Sequence, residues 1–152
     1  FKSFIGYGRN SEKRCSREPN FMISGKANDI KNLLDKLKAD NPDIKEVILL
    51  SYEGLVMVST LESGVQEDTI SAMAAGVNSS ILRFLKALKW HAFSDILITS
   101  SKDPIKDELK EYILIKDIKS VGLLVVLTKS DVDWKRLHSH VNYAISTISA
   151  MV

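Results

Sequence analysis

The sequence predicts an α/β domain of the α+β kind, with a five-stranded, mainly antiparallel sheet and helices on both of its faces. Three segments repeat apolar residues at helical spacing, five short apolar runs lie between them, and the links between successive strands are short. These observations give the order α-β-β-α-β-β-β-α. The length of 152 residues, 45% of them hydrophobic and 26% charged, is that of one globular domain.

The overall composition excludes several classes of function. A net charge of +2 gives no general argument for binding nucleic acid or an anionic membrane. No apolar run approaches the roughly 18 residues that a membrane span needs. The single cysteine, Cys15, cannot form an internal disulfide and fits a reducing compartment. We therefore expect a cytoplasmic protein with no nucleic-acid partner and no insertion into a membrane.

The first 27 residues differ from the rest of the chain in charge and in pattern. They hold six basic and two acidic residues, for a net charge of +4, and no apolar period runs through them. We interpret residues 1–27 as a basic arm or linker, either a solvated tail or a docking segment for an acidic partner. The folded domain is then expected to span residues 28–152.

The first predicted helix ends near Asp40, because the Asn41-Pro42 pair that follows disfavours helical geometry. Asn28 and Ser24 are the two candidates for its N-cap. Its apolar residues recur at i, i+3, i+4 and i+7, which is the spacing of one helix face. That face consists of Ile30, Leu33, Leu34 and Leu37.

Two closely spaced apolar runs predict a β-hairpin after this helix. Residues 46–52 and 55–60 are rich in aliphatic residues, and Glu53-Gly54 between them is a turn signal, since Gly readily takes positive φ. Both runs are apolar at successive positions instead of alternate ones. Such strands are covered on both faces, so helices are expected above and below the sheet.

The second predicted helix runs from Glu67 to about Lys89. Glu67 and Asp68 place negative charge at its start, where the helix dipole favours it. One stripe of this helix is apolar, and we expect the stripe to face the core. Its members are Ile70, Met73, Ala74, Val77, Ile81, Leu85 and Leu88.

Three further strands and a last helix complete the pattern. The strands are expected over residues 92–100, 108–118 and 120–129, and the last of them is the most apolar, which favours a central place in the sheet. Ser130, with Asp133 three residues later, resembles a capping box for the final helix. The apolar face of that helix comprises Trp134, Leu137, Val141, Ala144, Ile145, Ile148 and Val152.

The motifs that carry chemistry are absent from the sequence. The only G-x-G, at residues 6–8, neither follows a strand nor opens a helix, as a phosphate-binding loop would. His138 and His140 are two residues apart on a helix and so point to different sides. The acid pairs Glu67/Asp68 and Asp131/Asp133 lie at predicted helix starts, where capping and the helix dipole explain them. We expect no enzyme activity, no cofactor and no metal.

The side of the second helix opposite the apolar stripe is built from small residues. Gly76 lies there in mid-helix, although Gly costs about 1 kcal/mol relative to Ala. Small residues let another helix approach closely, whereas a solvent face of good helix formers is the alternative interpretation. The predicted contact face comprises Ala72, Gly76, Ser79, Arg83 and Ala87, flanked by Ser80 and Ala75.

The third strand, which directly follows this helix, is the candidate for an open sheet edge. An unpaired edge is a template for pairing with another chain. Strand and helix together would form one two-fold interface. The strand contributes Asp95, Ile96, Leu97, Ile98 and Thr99 to that predicted dimer interface.

The element order and two segments resemble the roadblock/dynein-light-chain family, a relative of longin and profilin-like domains. Residues 47–59, Val-Ile-Leu-Leu-Ser-Tyr-Glu-Gly-Leu-Val-Met-Val-Ser, are similar to the family's first two strands and their turn. Residues 70–76, Ile-Ser-Ala-Met-Ala-Ala-Gly, are similar to the Ala/Met-rich start of its central helix. The resemblance covers residues 28–152 and leaves the basic arm outside.

This resemblance implies a non-enzymatic protein that dimerises through its third strand and central helix. Many members of the family bind small Ras-like GTPases on the paired helices, as in bacterial cell-polarity systems, and others are scaffolds in dynein or lysosomal complexes. We assign Ala75, Arg83 and Lys86 to the partner-binding surface. The leading hypothesis is a homodimeric regulator or scaffold of a small GTPase. The alternatives are a structural or motor-associated adaptor with no GTPase partner and, more remotely, a small-ligand sensor.

Overall fold

The computed structural model describes residues 25–62, 66–101, 105 and 110–152. The basic arm predicted over residues 1–27, with Cys15 and Ser24, falls outside this range except for its last three residues. Helices and strands follow one another in the predicted order, α-β-β-α-β-β-β-α, which confirms the fold class. They are α1 (Ala27–Asp40), β1 (Ile44–Leu50), β2 (Val56–Ser59), α2 (Glu67–Ala87), β3 (Asp95–Ser101), β4 (Lys110–Ile118), β5 (Gly122–Thr128) and α3 (Trp134–Met151).

The five strands form one antiparallel sheet in the spatial order β2-β1-β5-β4-β3. The most apolar strand, β5, occupies the centre, as the sequence predicts, because both of its faces are buried. β3 pairs with β4 through seven consecutive residue pairs, from Asp95 with Lys116 to Ser101 with Lys110. No described strand pairs with the other side of β3, so β3 is an edge strand of the described sheet.

Helices cover both faces of the sheet, as the sequence predicts. α1 and α3 pack together on one face, where they enclose the larger apolar cluster with residues of β1, β4 and β5. Among the described residues, α2 is the one helix on the other face, where it covers a smaller cluster. That second cluster comprises Ile48, Leu50, Ala74, Ala75, Ile115, Leu123 and Val125. One described helix therefore covers this face of the sheet, whereas two helices cover the opposite face.

The predicted helix caps are wrong in detail. Asn28 lies inside the first turn of α1, whose N-cap is Lys26 and has no side-chain cap. α3 is capped by Asp133, which accepts a hydrogen bond from the backbone N–H of Arg136 at 3.2 Å. Ser130 lies too far from the helix start for this role. A carboxylate is an equally good cap, so the sequence leaves the choice between the two open.

A buried polar contact joins the end of α1 to α3. The Nδ2 of Asn41 donates to the carbonyl of Leu37 at 2.9 Å, and its Oδ1 lies 2.7 Å from the Nδ1 of His140. Because the amide oxygen can only accept, the imidazole Nδ1 is the donor. His140 is thereby a structural residue. In the described part of the chain, no group of three or more His, Cys, Asp or Glu side chains could hold a metal.

The β1–β2 turn is tied to the far end of β4 by Tyr52. Its hydroxyl donates to the Oδ1 of Asp117 at 2.6 Å and lies 3.2 Å from the carbonyl of Ile118. Burial, followed by the Asp117 carboxylate, raises the pKa of Tyr52 above its ordinary value. The phenol therefore stays protonated and serves as a clamp. No helix in the described ranges has the length and apolar character to cross a membrane.

Candidate association surface on α2 and β3

α2 rests on the sheet through small and polar residues instead of its most apolar side. The β1–β2 turn comes so close to the helix that a Cβ at Gly54 would lie 3.1 Å from the Cα of Ala72 and 3.1 Å from the Cβ of Ala75. Only small residues fit at such an approach. The buried residues of α2 are Ser71, Ala74, Ala75, Asn78 and Leu85.

Gly54 should therefore be sensitive to substitution, because its φ is +90° and its Cβ position is crowded by α2. We expect Gly54→Ala to lower the free energy of unfolding by about 1–3 kcal/mol. Gly25→Ala is the matched control, since a Cβ at Gly25 meets nothing within 4 Å. Urea unfolding of both variants measures the difference. Equal stability of the two would show that the turn does not approach α2 in this way.

The predicted phase of α2 is wrong. Met73 and Leu88, which the sequence analysis places in the core stripe, are 67% and 45% exposed. At ~100° per residue, the buried face is rotated by roughly 80° from the predicted stripe. The physical reason is the close approach of the Gly54 turn, which only a helix side with small residues permits. The side that contains Ala74 and Ala75 therefore faces the sheet. The apolar side of α2 is thereby left partly uncovered.

Large apolar side chains consequently line the exposed parts of α2 and of the segment after it. Phe84 is 62% and Trp90 63% exposed. Sequence reasoning missed both residues, although an apolar helix side that exceeds what one sheet face can cover is a signal of association. Exposed apolar residues of this region are Met73, Leu82, Phe84, Leu88 and Trp90, together with Leu97 on β3.

An apolar cleft lies between this side of α2 and strands β3, β4 and β5 of the sheet. Its volume is about 170 Å³, and every residue that lines it is aliphatic or Met. The helix contributes one wall and the sheet contributes the floor. The lining residues are Ile70, Met73, Ala74 and Val77 of α2, Ile98 of β3, Ile113 and Ile115 of β4, and Val125 and Leu127 of β5. The cleft and the free edge of β3 thus share one side of the molecule.

The edge strand β3 is held in place from its paired side. The carboxylate of Asp95 lies 2.7 Å from the Nζ of Lys116, which also donates to the Oδ1 of Asn142 on α3 at 2.9 Å. Leu97 and Thr99 are exposed, whereas Ile96 and Ile98 are half-buried on the side of α2. Contacts on the side of β4 therefore position the strand, and its outer edge needs no second strand to hold it.

The residues predicted for the interface separate into two groups in the structure. Ala75 is only 8% exposed and belongs to the cluster under α2, so its side chain is not available to a partner. Lys86 is exposed, and so are the remaining residues of the predicted contact face of α2. These are Ala72, Gly76, Ser79, Ser80, Arg83 and Ala87.

In the described part of the chain, α2 covers one face of the sheet, α1 and α3 cover the other, and the third strand lies at the edge; this arrangement is a roadblock-type fold. Solved structures with the same fold include Myxococcus xanthus MglB, with 15% identity and a TM-score of 0.70 over 81% of this chain and 94% of that one. The roadblock/LC7 domain from Streptomyces avermitilis gives 17% identity and a TM-score of 0.67 over 78% and 92%. A structure of MglB with a tetrameric arrangement gives 12% and 0.68 over 82% and 88%. Likeness at such identities is a likeness of fold.

Comparisons of the sequence itself give no relatives. No protein-family model matches the chain, and no curated protein does. The geometry of α2 and β3 therefore carries the argument about function.

Proposed function

We propose that this chain is a non-enzymatic, homodimeric roadblock protein of the cytoplasm that binds a small Ras-like GTPase and regulates or scaffolds it. The observation that carries the proposal is the position of β3 at the edge of the described sheet, beside the exposed apolar side of α2. An open edge and a large apolar patch are each liabilities in a monomer. A second copy of the chain would cover both at once.

The proposed dimer pairs β3 with β3 and α2 with α2 about a two-fold axis. Its helix contact is centred on Met73, Val77 and Phe84, because these residues lie on the side of α2 that is uncovered or borders the cleft. Ser80 and Ala87 of the sequence-predicted face lie at the border of this side. The strand contact keeps the predicted residues 95–99.

The small-residue side of α2 is the proposed site for the GTPase. Ala72, Gly76 and Ser79 are exposed and face away from the cleft, and Arg83 and Lys86 continue the same side towards the helix end. The dimer leaves this side open. Roadblock proteins, by the resemblance noted above, bind GTPases on their paired central helices. The fold likeness to MglB supports the same expectation.

Gly76→Arg tests this division of α2 between two contacts. A Cβ at Gly76 meets nothing within 4 Å, so we expect the variant to fold and to remain a dimer. The bulky side chain should nevertheless weaken the complex with a small GTPase by about tenfold or more, as a misfit at an interface does. Ser146→Arg, an exposed position on α3, is the control. Light scattering on a sizing column, with candidate GTPases loaded with GTP or GDP, measures both associations.

The outcome of that experiment separates the remaining interpretations. If Gly76→Arg were monomeric, Gly76 would lie in the dimer contact, as the sequence predicts. A wild-type dimer that binds no GTPase in either nucleotide state would favour the structural or motor-associated adaptor.

A further inference from the structure

The net charge of +2 conceals a local concentration of positive charge on α2. Residues 69–94 contain Arg83, Lys86 and Lys89, and no Asp or Glu lies between Asp68 and Asp95. None of the three cations forms an ion pair with any residue in the described ranges. Unneutralised cations grouped at one end of a helix produce a local positive potential that the total charge does not reveal.

Exposed apolar side chains lie among these cations. Leu82, Arg83 and Lys86 lie within about 100° of one another around α2, and Trp90 follows three residues after the helix ends at Ala87. Leu82 is 44% exposed. Phe84 lies roughly 160° around the helix from Leu82, which places the dimer contact on the other side. A dimer built through Phe84 therefore leaves this second surface open.

The backbone at the end of α2 holds Trp90 in a fixed position. The N–H of Trp90 donates to the carbonyl of Leu85 at 2.9 Å, and the N–H of Lys89 donates to that of Lys86 at 3.0 Å. Lys89 itself has a positive φ of 60°, a conformation typical of the residue that ends a helix. The indole is thus presented outward from an ordered turn. We call Leu82, Arg83, Lys86, Lys89 and Trp90 the basic-aromatic end.

We propose that the basic-aromatic end docks the protein on an anionic membrane surface. Lys and Arg side chains are attracted to acidic headgroups, and Trp and Leu favour the boundary between headgroups and acyl chains. The surface is an exposed helix end, which suits a flat lipid surface better than a peptide that needs a groove. The contact is peripheral and requires no membrane span. Because Arg83 and Lys86 also belong to the proposed GTPase site, the membrane and the GTPase would compete for this end of α2.

Vesicle co-sedimentation tests the proposal with two compositions, phosphatidylcholine alone and phosphatidylcholine with phosphatidylserine. We expect the wild-type protein to bind only the anionic vesicles, and added NaCl to weaken binding because salt screens the attraction. The fluorescence of Trp90 should shift to the blue on binding, and Trp90→Phe should remove that shift. Trp134 remains as an internal reference, because it is half-buried against Tyr112 at 4.8 Å between ring centroids.

Charge reversal assigns the binding to this surface. Lys86→Glu/Lys89→Glu should lower the partition onto anionic vesicles by about tenfold or more, since each cation near such a membrane contributes separately. Lys36→Glu/Lys135→Glu makes the same charge change at exposed positions on α1 and α3 and should bind almost as wild type. Circular dichroism and light scattering on both variants verify the fold and the dimer.

Three results would overturn the inference. They are a wild-type protein that ignores anionic vesicles, equal binding to neutral and anionic vesicles, and equal losses in the two charge-reversed variants. The first would direct the search to an acidic protein partner for this surface. Failure here leaves the dimer and the GTPase proposal intact, because neither uses vesicles as its measure.

Discussion

Phe84→Glu is expected to convert the dimer into a monomer while the domain stays folded. The ring is 62% exposed in the single chain and lies at the centre of the proposed helix contact. Removing an aromatic residue from the centre of an interface typically costs about 2–4 kcal/mol, and burying a carboxylate there adds to that loss. The dissociation constant of the dimer should therefore rise by about a hundredfold or more. Sedimentation equilibrium or light scattering over a concentration series measures this change.

Leu82→Glu is the matched control for that variant. Leu82 is also an exposed apolar residue of α2, but it lies roughly 160° away from Phe84 around the helix. Its replacement should leave the dimer unchanged, and circular dichroism should show the same helix content in both variants. If both substitutions dissociated the dimer equally, the contact would not lie on the side of α2 that faces the cleft.

Gly122→Ala is expected to cause the largest loss of stability. A Cβ at Gly122 would lie 2.1 Å from the carbonyl oxygen of Leu50 and 3.2 Å from the Cε of Met57. The oxygen belongs to the backbone of β1, which pairs with β5 in the centre of the sheet, so the clash can be relieved only by moving two strands. We expect the free energy of unfolding to fall by about 3 kcal/mol or more.

Gly76→Ala is the control for Gly122→Ala, because its free energy of unfolding is expected to rise instead of fall. Gly76 is exposed in mid-helix and has open space around its Cβ position, so the methyl group should stabilise the chain by up to about 1 kcal/mol. Urea unfolding of both variants gives the two free energies. A neutral Gly122→Ala would mean that β1 and β5 are not as close as the structure places them.

The strand pattern could be predicted from the sequence because it depends on local signals. The apolar runs are bounded by turn residues such as Gly54, and the short links between them permit only antiparallel neighbours. The unbroken run from Val121 to Leu127 placed its strand at the centre. Strand ends differ from prediction by a few residues, as when β1 begins at Ile44 instead of Glu46. The strand ends are set by pairing with neighbouring strands, and a local sequence pattern carries no information about that pairing.

The association surface could be predicted only in part. The edge position of β3 follows from the order of elements and is confirmed. The predicted phase of α2 is wrong because it rests on the assumption that the most apolar side of a helix is buried within its own chain. The Gly54 turn instead draws Ala74 and Ala75 inward, which leaves Met73 and Phe84 exposed. The assumption fails where the apolar side of a helix contacts a second chain. A single sequence does not show which side of the helix makes that contact.

The basic-aromatic end was hidden from sequence analysis for a different reason. The net charge of the whole chain averages acidic and basic regions, so a local excess at Arg83, Lys86 and Lys89 does not appear in it. The exposure of Leu82 and Trp90 beside those cations is known only from the packing of α2.

The mass of the protein in solution is the most direct test of the central claim, that α2 and β3 form a homodimer contact. Light scattering on a sizing column should give twice the mass of the 17.0 kDa chain. It should give the single-chain mass for Phe84→Glu. A wild-type protein that remains monomeric at concentrations on the order of tens of micromolar, where even a weak specific dimer assembles, would contradict the claim.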